Sequence, residues 1–163
     1  GAKPEKTPAL YSMMNYADFA KKVIAQDGRN KFRYLDHNRI IELPASLRKF
    51  YIDYDPYDVE VRLSDCNSIR FYSLNMLKNL QKEYTLPKGA FVFVTMNSDP
   101  IFISDGKIFT INGGCVGKPE ALAASFDEYL FLIMENMQDW NKNETFLLLY
   151  DERNAVVDIL NKL

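Results

Sequence analysis

The chain has 163 residues, 47% of them hydrophobic and 26% charged, which fits one globular domain and excludes a disordered or collagen-like chain. Twenty Lys and Arg against 22 Asp and Glu leave a net charge of −2, which argues against a dedicated nucleic-acid binder. The unusual figure is the aromatic share of 13%, drawn from 11 Phe, 10 Tyr and a single Trp.

Gly1 is not a natural start and reads as a residue left by removal of a tag, so a single domain is expected over residues 2–163. The polar opening Ala2-Lys3-Pro4-Glu5-Lys6 has no apolar signal region. No run of 18 apolar residues occurs, so no membrane span is expected. Cys66 and Cys115 are isolated thiols, read as reduced structural residues of a cytoplasmic protein.

Residues 8 to 26 read as a helix, with Tyr16, Phe19, Ala20, Val23 and Ile24 on one face and Gly28 as its left-handed cap. Residues 29 to 43 read as irregular. Leu43-Pro44-Ala45-Ser46-Leu47-Arg48-Lys49-Phe50-Tyr51 predicts a short helix with proline in its first turn and Leu47, Phe50 and Tyr51 buried. Residues 57 to 63 alternate, with Val59, Val61 and Leu63 on one side and Asp58, Glu60 and Arg62 on the other, as in a strand with one wet face. Ile69 and Phe71 continue that pattern after Ser64-Asp65-Cys66-Asn67, which predicts a hairpin.

A helix is expected over 74 to 84, stopped by Pro87-Lys88-Gly89. Phe91-Val92-Phe93-Val94-Thr95-Met96 is apolar on both faces and suits a central strand. Asp105-Gly106 between Pro100-Ile101-Phe102-Ile103 and Lys107-Ile108-Phe109-Thr110-Ile111 is a strong hairpin signal. Asn112-Gly113-Gly114 ends that strand. Ser125-Phe126-Asp127-Glu128 is a capping box opening a helix whose wide apolar face carries Phe126, Tyr129, Leu130, Ile133, Met134 and Met137. Val156, Ile159, Leu160 and Leu163 suggest a last helix. Tight hairpins without βαβα alternation predict an α+β fold with a mainly antiparallel sheet.

The chemistry-bearing residues give no catalytic or cofactor pattern. His37, the only histidine, lies in the polar run Asp36-His37-Asn38-Arg39, away from any nucleophile motif. The segment from Asp53 to Ser64 fails as an EF-hand: its sixth position is Asp58 rather than Gly, and its twelfth is Ser64. Gly113-Gly114-Cys115-Val116-Gly117-Lys118 fails as a phosphate loop, with Asn112 and Pro119 where Gly and Ser or Thr are needed. No metal and no cofactor is expected. Phe32 and Tyr34 interleave with Arg29, Lys31 and Arg33, a faint RNA-surface pattern that the balanced charge outweighs.

A protein interface is the stronger reading. Tyr51, Tyr54 and Tyr57 recur every third residue among Asp53, Asp55 and Asp58, with Glu60 just beyond. Tyrosine is enriched at interface hot spots, and carboxylates around it would orient a basic partner. Asp53, Tyr54, Asp55, Tyr57, Asp58 and Glu60 are therefore the expected partner-binding residues.

Three landmarks in order carry a family resemblance. Leu43 to Tyr51 resembles the "LP-x-x-L-x-x-F-Y" signature of the SUKH superfamily. Pro100-Ile101-Phe102-Ile103 and Ser125-Phe126-Asp127-Glu128-Tyr129-Leu130 are similar to its second and third landmarks. The superfamily includes regulators of fungal cell-wall glucan synthesis and bacterial immunity proteins that neutralise toxins, often nucleases. The resemblance implies an α+β fold, no catalysis, and a protein partner such as a basic nuclease-type toxin. Leu43, Pro44, Leu47, Phe50, Pro100, Phe102, Phe126 and Leu130 carry over as scaffold positions. One departure is Asn112-Gly113-Gly114, since many members place a glycine-rich turn just after the first landmark. A regulatory module is the alternative role. An enzyme or ligand binder is a third, and it would need a deep cleft with convergent polar groups.

Overall fold

A computed structural model describes residues 14–35, 42–111 and 117–139. The expected readings at His37, Cys115, Asn112-Gly113-Gly114 and the last helix lie outside them. Within them are four helices and eight strands in the order α1 (Tyr16–Gln26), β1 (Lys31–Arg33), α2 (Ala45–Asp53), β2 (Asp55–Tyr57), β3 (Val59–Arg62), β4 (Ser68–Phe71), α3 (Leu74–Lys82), β5 (Phe91–Met96), β6 (Asp99–Ser104), β7 (Lys107–Thr110), β8 (Glu120–Ala123) and α4 (Phe126–Asn136). Strands β3 to β8 form one antiparallel meander in sequence order, and β1 pairs with β2 in a separate antiparallel ribbon. The α+β class with an antiparallel sheet is the observed architecture.

Local chemistry explains most of the boundaries. Asn15 caps α1, its side chain accepting from the amides of Ala17 at 2.9 Å and Asp18 at 3.3 Å. Gly28 is not the left-handed cap expected of it: Asp27 ends the helix in an extended conformation, and Gly28 lies outside the left-handed region. The Asp27 carboxylate accepts from the Arg29 amide at 3.0 Å and turns the chain without needing glycine. Pro44 stands just before α2 rather than within it. Asp105 and Gly106 both have positive φ, 51° and 76°, as a two-residue hairpin between β6 and β7 demands. The same conformation at Asn97 and Ser98 makes a second tight hairpin, between β5 and β6. In the capping box, Ser125 Oγ accepts from the Glu128 amide at 3.0 Å, and Glu128 Oε2 accepts from the Ala124 amide at 3.2 Å.

Three elements depart from expectation. Residues 57 to 63 are not one strand: Asp58, with φ of 60°, breaks them, sending β2 to the ribbon and β3 to the main sheet. Residues 29 to 43 contain β1, too short at three residues to show alternation. Glu-Ala-Leu-Ala at 120–123 is a strand despite weak strand propensity, because it completes a sheet already in place.

The core explains much of the aromatic excess. Phe50 is fully buried, and the rings of Tyr16, Phe19, Tyr51, Phe71 and Phe126 all lie 5.3–6.4 Å from it. Leu43, Leu47 and Tyr51 of the first landmark are buried with it. Phe91 and Phe109, expected in the core, are only partly buried and pack against its margin.

Side-chain amides close gaps in the main sheet. Asn30, itself buried, donates to Glu60 O at 2.9 Å and accepts from Glu60 N at 3.0 Å. Gln26 does the same at Arg62, at 2.8 Å in both directions. These two residues stand where a further strand would pair with β3. Gln81 of α3 makes a third such pair with Val92, at 2.6 and 2.8 Å, beside the irregularity in β5. Each amide supplies the donor and acceptor that a neighbouring backbone would otherwise supply.

Candidate partner-binding surface

The ribbon is where the sequence reading placed the functional residues. In its register Lys31 faces Tyr57, Phe32 faces Pro56, and Arg33 faces Asp55. Opposed residues share a face, so Lys31, Arg33, Asp55 and Tyr57 lie on one side and Phe32 and Pro56 on the other. The Phe32 side turns inward: its ring lies 6.3 Å from Phe50 and 6.2 Å from Tyr54. Phe32 therefore offers no stacking platform for a base. Arg29 is bound to Asp27 at 2.8 Å, and Arg33 to Asp55. Of the interleaved residues, Phe32 packs on the core and Arg29 and Arg33 are ion-paired, while Lys31 and Tyr34 are exposed.

Asp55 is the principal correction to the expected site. Its carboxylate is fully buried and cannot meet a partner. One oxygen accepts from Arg33 Nε at 2.5 Å, the other from the Leu74 backbone amide at 2.8 Å. Leu74 opens α3, whose flanking Ser73 makes no side-chain cap bond. Asp55 thus supplies that cap from another strand, where the helix dipole favours negative charge. A buried carboxylate requires such compensation, and Arg33 and the helix end provide it.

The other five expected residues divide. Tyr54 is half-buried against Phe32 and Phe50. Glu60 is half-buried, accepting from Ser68 Oγ at 2.8 Å and standing opposite Arg70. Asp53 and Asp58 are exposed, and Tyr57 is 54% exposed. The Arg33 guanidinium lies 5.4 Å from the Tyr57 ring centre, held there by Asp55 below. Tyr34, directly after β1, is 68% exposed and was not among the expected contact residues. Its signal in the sequence was the alternation Lys31-Phe32-Arg33-Tyr34, too short to assign faces. The outward face of the ribbon is therefore Lys31, Arg33 and Tyr57, with Tyr34 exposed just beyond β1 and Asp53 and Asp58 exposed on either side of β2 in the chain. It mixes both charges around tyrosines and is not the acidic stripe expected.

Among the other described tyrosines, Tyr51 and Tyr129 are buried and Tyr16, Tyr72 and Tyr84 are half-buried. Tyr51 donates to Tyr72 O at 3.2 Å, and burial, with the nearby Asp55 charge, pushes its hydroxyl pKa up. Tyr16 donates to Asp127 Oδ1 at 2.5 Å, tying α1 to α4; desolvation and then that carboxylate raise its pKa. Among the described residues no group of three or more His, Cys, Asp and Glu could hold a metal ion, and no helix is long and apolar enough to cross a membrane. Compared with known proteins, the chain matches no family model, no curated protein and no solved structure.

Proposed function

We propose that this chain is a non-enzymatic protein-binding domain that meets its partner on the outer face of the β1–β2 ribbon. One observation carries the reading: Tyr57, 54% exposed, lies against a charge-anchored arginine whose guanidinium is 5.4 Å from its ring centre, and Tyr34, directly after β1, is 68% exposed. Tyrosine and arginine are the residues most enriched at interface hot spots, because they offer large contact area and directed hydrogen bonds at small entropic cost. Arg33 is already held by Asp55 and Tyr57, so less ordering remains for a partner to impose. In its most specific form the partner is a toxin and the chain its immunity protein, as the SUKH resemblance implies. The regulatory role is the alternative form. Exposed Lys31 together with exposed Asp53 and Asp58 supports a partner of mixed charge better than a purely basic one.

The test uses a photo-crosslinking amino acid at position 57, with position 107 on the β6–β7 turn as the comparison. A defined protein captured from native lysate at 57 and not at 107 is expected. Its capture should fall at least tenfold in Tyr34→Ala. Equal capture at both positions, or capture at 57 that ignores Tyr34→Ala, overturns the surface. Reversing Asp53 and Asp58 to lysine separates the finer form: a basic toxin would associate more slowly, most clearly at low salt.

A further inference from the structure

The meander has two edges, β3 and β8, and they are finished differently. Along β3, Asn30 and Gln26 fill the backbone valences of Glu60 and Arg62, and just beyond them a bridge joins Leu63 to Met137. That edge is closed to another strand. β8 pairs with β7 on one side only. Among the described residues, no strand and no side-chain amide takes the matching place beside Ala121, Leu122 and Ala123. The side chains there do not repel a neighbour: Ala121 is exposed, Leu122 is half-buried, and neither carries charge. Leu122 also lines a cleft of about 310 Å³ between the sheet and α4, so this edge presents apolar surface together with open backbone. An edge of this kind is a template for a further strand.

We infer that β8 pairs with β8 of a second copy of this chain, joining two meanders into one continuous sheet. A two-fold axis sets the two strands antiparallel. Centred on Leu122, the pairing puts Leu122 against its own copy, Ala121 against Ala123 of the second copy, and Glu120 against Ala124 of the second copy. No like charges then face each other, whereas centring on Glu120 would oppose two carboxylates. Lys118 and Pro119, just before β8, limit the pairing to that short strand. Because the β3 edge is closed, assembly stops at two copies and does not grow into a filament. The inference is independent of the ribbon, which forms a separate sheet.

Sedimentation velocity on the full chain is the test. So short a paired edge makes an interface of the small, weak class, so monomer should give way to dimer between about 1 and 100 μM. Over the same range, hydrogen exchange should slow about fivefold at one or more amides of residues 121 to 123, as the open edge becomes paired. Ala121→Lys places a charge at an exposed edge position, the device by which natural edges avoid pairing. It should weaken the dimer about tenfold without lowering the melting temperature. A chain that stays monomeric throughout that range overturns the inference. A dimer that leaves exchange at residues 121 to 123 unchanged, or that is as tight in Ala121→Lys, also overturns it, because the interface would then lie elsewhere. Species larger than a dimer would overturn the closure at β3.

Discussion

The two sheets of this protein are secured in opposite ways. The six-stranded meander is secured by burial: Val92, Phe93, Val94 and Thr95 of β5 are all interior, and amides from Asn30, Gln26 and Gln81 fill the backbone valences left open. The two-stranded ribbon has three residues per strand and one buried face. An isolated pair of strands is marginal in water. A buried carboxylate, Asp55, adds to the ribbon's hold by fixing Arg33 to the start of α3. Redundant packing makes the meander tolerant of a lost polar contact. The ribbon has less such packing, and its outer face carries exposed Lys31 and Tyr57.

Asp55→Ala should therefore be the most damaging change to the polar contacts of either sheet. It leaves Arg33 without its counter-ion and the Leu74 amide without an acceptor. Breaking a buried pair costs about 3–5 kcal/mol, and because Arg33 is partly exposed the lower end, about 3 kcal/mol, is expected in urea unfolding. Asp55→Asn keeps an acceptor for Leu74 and should lose about half as much. A loss below about 1 kcal/mol in Asp55→Ala would mean that the ribbon is held by something else, and the contrast between the sheets would fail.

The amides come next. Asn30→Ala, at a residue that is itself buried, strands both backbone groups of Glu60 and should cost about 2 kcal/mol. Gln26→Ala acts on Arg62, where the site is only partly buried and water can substitute, so about 1 kcal/mol is expected. Hydrogen exchange at the Glu60 and Arg62 amides checks the ranking directly. Equal protection loss at the two would show that burial does not set the value of these edge pairs.

Alkali probes the interior tyrosines. Below pH 10 both the folded and the unfolded chain keep Tyr51 neutral, so its contribution is fully present. Above pH 10 the unfolded chain ionises while the folded one resists, because burial raises the folded pKa. Stability should then fall by about 1.4 kcal/mol per pH unit for each fully buried tyrosine. Tyr51→Phe should remove its share of that slope. An unaltered slope in Tyr51→Phe would contradict its burial.

What could be read beforehand follows the same division. The meander is built from local signals: alternation at Val59 and Val61, the apolar run at Phe91, the Asp105-Gly106 turn and the capping box at Ser125. Each is complete within a few residues, so sequence exposes it. The first landmark likewise announced its own buried face at Leu47, Phe50 and Tyr51. The ribbon is built from distant partners. Asp55 is neutralised by Arg33, 22 residues before it, and caps Leu74, 19 residues after it. Nothing local distinguishes it from Asp53 or Asp58, so all three read as one acidic surface. The positive φ at Asp58, unusual for a residue other than glycine, similarly hid the point where the chain leaves one sheet for the other.

Tyr57→Ala has the smallest expected effect on stability and the largest bearing on function. The ring is more than half exposed, and its main tie is the stacked Arg33 guanidinium at 5.4 Å. Such a contact at an exposed site is worth about 0.5–1 kcal/mol, so the urea midpoint should move little. Asp55 still anchors Arg33 in this variant, and the ribbon keeps its register. Partner capture through a photo-crosslinking residue placed at exposed position 31, opposite Tyr57, should by contrast fall at least tenfold, because a hot-spot side chain has been removed from an intact scaffold. The pairing of these two numbers is what matters: a variant that unfolds and a variant that stays folded but stops binding are different proteins. If Tyr57→Ala unfolded the ribbon as Asp55→Ala does, Tyr57 would be a structural residue with an exposed edge. If it left both stability and capture untouched, the ribbon's exposed face would be inert, and the partner would have to dock elsewhere.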